Sequence, residues 1–87
     1  MSLIELIKEN IDLIIANKES DPQTFDAVYG LFVETLFRLR YSQGKVEATQ
    51  NNYIGEPNNP KYIADMNAMQ DYRKECKAIG KALFEID

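Results

Sequence analysis

The sequence holds no histidine, so the commonest general base, triad member and metal ligand is missing. Cys76 is its only cysteine, which excludes an intrachain disulfide and points to a reducing, cytoplasmic setting. Glycine and proline are sparse, and no glycine-rich phosphate loop, zinc-ligand cluster or calcium-loop spacing occurs. Apolar runs are short as well. Nothing approaches the roughly eighteen unbroken apolar residues of a membrane span. Glu5 and Asp12 interrupt the N-terminal apolar residues, and no basic region precedes them as in a secretory signal. Ten basic residues face fourteen acidic ones, and the resulting net charge of −4 argues against a generic polyanion binder.

What is present suits one small core. Eighty-seven residues, 45% of them hydrophobic, are expected to form a single domain over 1–87. Its stability should be modest or helped by self-association. Asn, Ile, Lys and Tyr are abundant, and their AT-rich codons hint at a bacterial or phage source.

The chain is organised around Asp21–Tyr41. Phe25, Val28, Tyr29, Phe32, Leu36 and Leu39 recur at three- and four-residue steps, the spacing of one helical face. Val33, Phe37 and Tyr41 form a second row along its edge, and only Ala27, Gly30, Glu34 and Arg38 leave a small or charged strip. A helix apolar over most of its circumference must be covered from several sides. The fold class expected is therefore all-α, a three-helix bundle around this central helix, with a short extension beyond it.

Residues 2–17 read as the first helix, opened by the capping-box spacing of Ser2 and Glu5. Leu3, Leu6, Ile7, Leu13 and Ile14 are its expected core face, with Ile4, Ile11 and Ile15 to the side. Asn10 interrupts that face, either bonding to a neighbouring helix or lying at its rim, or else setting a register as in coiled coils. Glu5, Glu9 and Asp12 line the opposite, solvated side. Asp21 before Pro22 starts the central helix, which ends at Gly44 or has helix continuing or resuming through Lys45–Gln50. Asn51–Pro60 has the composition of a loop. Asn59 caps a third helix running to about Ile86, in which Cys76 and Gly80 allow a close helix approach.

Catalytic equipment is sparse. Glu9 and Asp12 make one E-x-x-D pair, but the other helices offer no second pair facing a core, so a metal-dependent helical hydrolase is a distant reading. Cys76 lies on an apolar stripe with no histidine and reads as a small buried hydrophobe. No catalytic residue, metal ligand or cofactor is assigned. The residues expected to bind a protein partner are Val33, Phe37 and Tyr41, as an uncovered edge supporting a homodimer, together with Tyr53 and Ile54 on the loop. The function expected is that of a non-enzymatic protein acting by protein–protein contact, of adaptor, chaperone-like or inhibitor type. The alternative is a nucleic-acid-associated protein using Arg73, Lys74, Lys77 and Lys81 as a basic ridge. That ridge equally suits the negative end of the helix dipole.

Overall fold

The computed structural model describes all residues from Met1 to Asp87. The chain is all-helical, in the order α1 (Leu3–Glu9), α2 (Ile11–Ala16), α3 (Pro22–Arg38), α4 (Gln43–Gly55) and α5 (Pro60–Leu83). The predicted first helix is thus two. Asn10 sits at the break, its Nδ2 donating to the Leu6 carbonyl at 2.8 Å. Its backbone N–H is shared between the carbonyls of Leu6 and Ile7. An asparagine that bonds back to its own helix in this way competes with the regular ladder and bends it. Asn10 is exposed and makes no hydrogen bond to a neighbouring helix, so of the places expected for it, it takes the rim.

Every later helix starts on a side-chain cap, and the sequence announces those at Asp21 and Asn59. Asp21 accepts from the Thr24 N–H at 3.2 Å and from its hydroxyl at 2.6 Å, with Pro22 in the first turn. Ser42 accepts from Lys45 N–H at 3.2 Å, and that cap starts α4 as a helix of its own. Asn59 accepts from Lys61 N–H at 2.9 Å ahead of Pro60. At the other end of α5, Glu85 takes a left-handed φ of 55°. Ile86 N–H then reaches the Lys81 carbonyl at 2.8 Å and Glu85 N–H that of Ala82 at 3.4 Å. This is a Schellman closure built without glycine.

The expected loop at Asn51–Pro60 is shorter than its composition implies. Residues through Gly55 are the last turns of α4, and only Glu56–Asn59 make the turn into α5. Asparagine and glycine are tolerated there because those turns are exposed and α4 packs along α5 regardless of their propensity.

The long α5 organises the rest. Its second half runs antiparallel to α3, so that Phe84 meets Phe25, Tyr29 and Phe32 with ring centroids 5.6–5.7 Å apart. Tyr72 meets Phe37 and Tyr41 further along. Its first half packs on α4. The α1–α2 pair covers α3 from another side through Ile4, Ile7, Ile11, Ile14 and Ile15. No third helix packs closely on the α4 arm, and the molecule is long and thin, 48 × 28 × 18 Å. Its radius of gyration is 15.9 Å, against about 12 Å for a compact chain of this length.

Candidate functional site

The row Val33, Phe37 and Tyr41 is not an open edge. All three are buried, Phe37 completely. The expectation failed because α3 stops at Arg38 and the chain bends through Leu39–Ser42, which lets α5 run past the whole row. Val33 lies against Gly80, and Phe37 and Tyr41 stack in parallel with centroids 5.2 Å apart. The Arg73 guanidinium covers the Phe37 ring at 3.9 Å from its centroid. A dimer through these residues would require the monomer's own core to open.

Arg73 is likewise turned inward. It donates to Glu34 at 3.1 Å, and Arg38 donates to the same carboxylate at 2.9 Å. Partial burial pushes the Glu34 carboxyl up, but the hydrogen bond and charge of Arg73, then those of Arg38, outweigh it and hold the group below the ordinary carboxylate value. Around the bend, Arg40 lies over Tyr72 and Lys45 over Tyr41, each 4.7 Å from the ring centroid. These cations lie over Phe37, Tyr41 and Tyr72, so those rings offer no free stacking platform to a nucleobase. Lys74, Lys77 and Lys81 remain as an exposed row without an ion-pair partner, but the ridge has lost its arginine. Tyr53 and Ile54 are exposed on the last turns of α4, far along the chain from α1–α2, and they do not join any apolar surface with Val33, Phe37 and Tyr41.

A larger group of open apolar residues lies on the other side of the molecule, while Leu39, Ile54, Ile63 and Ile79 are exposed elsewhere. In α1–α2 the isoleucines face inward, while Leu3, Leu6 and Leu13 are exposed, Leu13 at 63%. The core face is therefore the isoleucine row, and the leucines expected inside lie outside. Leu13 lines a crevice of about 300 Å³ with Ile14 and Asn17 of this layer, Asp21 and Ser20 of the turn, and Thr24, Phe25 and Val28 of α3. Seven residues after Thr24, on the same row of α3, comes the exposed Leu31. Leu13 and Val28 meet at the crevice, and helical spacing sets Leu3 and Leu6 on the row of Leu13 and Leu31 on the row of Thr24 and Val28. Two adjacent apolar rows, one all isoleucine and one largely leucine, on a helix with a single neighbour were the sign available in the sequence. One neighbour can cover only one such row.

The face is bordered by negative charge. Residues 1–26 hold six carboxylates and two lysines, which matches the net charge of the whole chain, and none of these carboxylates has a cation within ion-pair distance. Glu9 sits one turn from both Leu6 and Leu13, and Asp21 opens into the crevice. The Thr24 hydroxyl and then its N–H hold the Asp21 carboxyl below the ordinary value, so it is charged at neutral pH. No three carboxylates or thiols converge as a metal ion would require. No helix is long and apolar enough to cross a membrane. No family model matches the chain, and no curated protein or solved structure is found to match it in sequence or fold.

Proposed function

We propose that this chain is a non-enzymatic helical protein that works by docking another protein on the leucine face of α1, α2 and α3. The observation that carries this is the exposure of Leu3, Leu6, Leu13 and Leu31 together, beside a crevice, on a molecule whose core excludes them. Isolated exposed leucines are ordinary, but a row of them on one face is the usual mark of an interaction surface.

The test is a pull-down from the native host with the wild-type chain and with Leu6→Ser/Leu13→Ser. Both positions are exposed, so helix content should persist while the retained protein is lost. Recovery of the same protein by the double variant would remove the face from consideration. The alternative, nucleic-acid association through Lys74, Lys77 and Lys81, is weakened by the engagement of Arg73 with Glu34. It would be revived by salt-dependent retention on DNA that is lost on changing the three lysines to glutamine.

A further inference from the structure

Resting on the docking function proposed above, we infer that the occupant of the leucine face is an amphipathic helix of the partner, with basic residues along its margins. Leu3, Leu6 and Leu13 repeat at three- and seven-residue intervals, and Val28 and Leu31 run beside them on α3. Two such rows leave a channel between helices into which a third helix lays its own ridge of side chains. The Leu3–Leu13 row is about 15 Å long by helical rise, so it accommodates about three turns, with the crevice at Leu13, Phe25 and Val28 taking the largest apolar anchor.

Charge selects the occupant. Glu5, Glu9, Asp12, Glu19 and Asp21 are all unpaired in the free chain, whereas Lys18 is drawn over the Phe25 ring, its ammonium 5.0 Å from the centroid. Lysine or arginine at the edges of an incoming apolar stripe would find carboxylates on the α1–α2 side without displacing an existing partner. A second copy of the chain offers the opposite: the same acids would meet across the two-fold axis. The asparagine pairing that sets register in a coiled-coil dimer is also spent, because Asn10 and Asn17 donate to the carbonyls of Leu6 and Leu13 at 2.8 and 2.9 Å. An anionic bilayer is disfavoured by the same carboxylates.

The probe is a fluorescein-labelled synthetic helix of about four turns, with leucines at three- and four-residue steps and lysines beside them. Its control carries glutamate at every lysine. By fluorescence anisotropy the lysine peptide should bind at least about tenfold tighter than the control, and should weaken severalfold as salt screens the margins. Leu6→Ser/Leu13→Ser should abolish binding, Glu9→Gln/Asp12→Gln should weaken it severalfold, and Ile54→Ser, on the distant arm, should leave it unchanged. The inference is overturned if the glutamate peptide binds equally well, or if the lysine peptide ignores both double variants. It is overturned too if light scattering gives twice the 10.0 kDa chain mass and Leu13→Ser restores the single mass, since the face then belongs to a second copy. If neither peptide binds while the leucine variant still loses its host protein, the basic helix is wrong and the docking face stands. If the leucine variant also keeps its host protein, both fall.

Discussion

Gly80 separates packing from propensity in one pair of variants. An alanine Cβ at this position would lie 2.9 Å from Tyr29 Cε2 and 2.9 Å from Val33 Cγ2, where ordinary contact begins at 3.4 Å. Neither neighbour retreats freely. Tyr29 is held by its edge contact with Phe84 at 5.6 Å and by its hydroxyl reaching the Lys77 carbonyl at 3.4 Å, and Val33 is buried. Gly30, in the interior of α3, has nothing within 4 Å of its alanine Cβ. Gly30→Ala should therefore show the helix-propensity gain alone, about 1 kcal/mol of added stability. Gly80→Ala receives the same gain but incurs an overpacking cost of about 1–3 kcal/mol. The two variants should differ by that cost, with Gly80→Ala net destabilised by about 1 kcal/mol. Urea unfolding followed by far-ultraviolet circular dichroism measures both, and in thermal melts each kcal/mol is worth about 4–8 °C in a chain of this size. If Gly80→Ala rises in step with Gly30→Ala, α5 does not approach α3 as closely as described, and the covering of Val33 must be reconsidered.

Three further outcomes are expected. Phe37→Ala should cost about 3–5 kcal/mol in urea unfolding, because the ring is fully enclosed; a change below about 1 kcal/mol would mean that the row is open after all. Glu34 has a folded pKa below its unfolded one, so its contribution is present above the unfolded carboxylate range and is lost as pH falls through the folded value. Glu34→Gln should lower stability by about 0.5–1 kcal/mol at neutral pH, since the pairs are partly exposed, and the difference should close as acid protonates the folded carboxyl; a constant difference at every pH would refute the ion-pair account. Cys76 should react with a thiol reagent only at the rate of unfolding, being fully buried and next to Tyr72 in a packed layer. Prompt stoichiometric labelling of the folded chain would contradict this.

Much of the fold was legible because it is written in local chemistry. Asp21-Pro22 and Asn59-Pro60 start helices where their caps predict, and the small pair Cys76 and Gly80 lies where helices approach, because these effects depend on a few neighbouring atoms. The errors concern choices that only tertiary packing makes. Leu3, Leu6 and Leu13 satisfy the same helical period as Ile4, Ile7 and Ile11, so periodicity could not say which row α3 would cover. Val33, Phe37 and Tyr41 were expected to be open because two helices cannot surround a straight third one. The bend at Leu39–Ser42 removes that constraint, and its cap, Ser42, looks unremarkable in sequence. Asn51 and Asn52 suggest a loop, yet they ride as exposed positions on a helix whose neighbour is α5.

The bend has a dynamic consequence. Because α4 packs closely only on α5, and Val46 is its one buried residue, the α4 arm and the first half of α5 are held by far fewer enclosed contacts than the α3 half. Amide hydrogens in α4 should exchange through local opening while those of α3 wait for global unfolding, and a protease should cut first at the turn Glu56–Asn59. The chain then consists of two cooperative units sharing one helix. The firmer unit presents the leucine face, and the looser one can breathe without disturbing it.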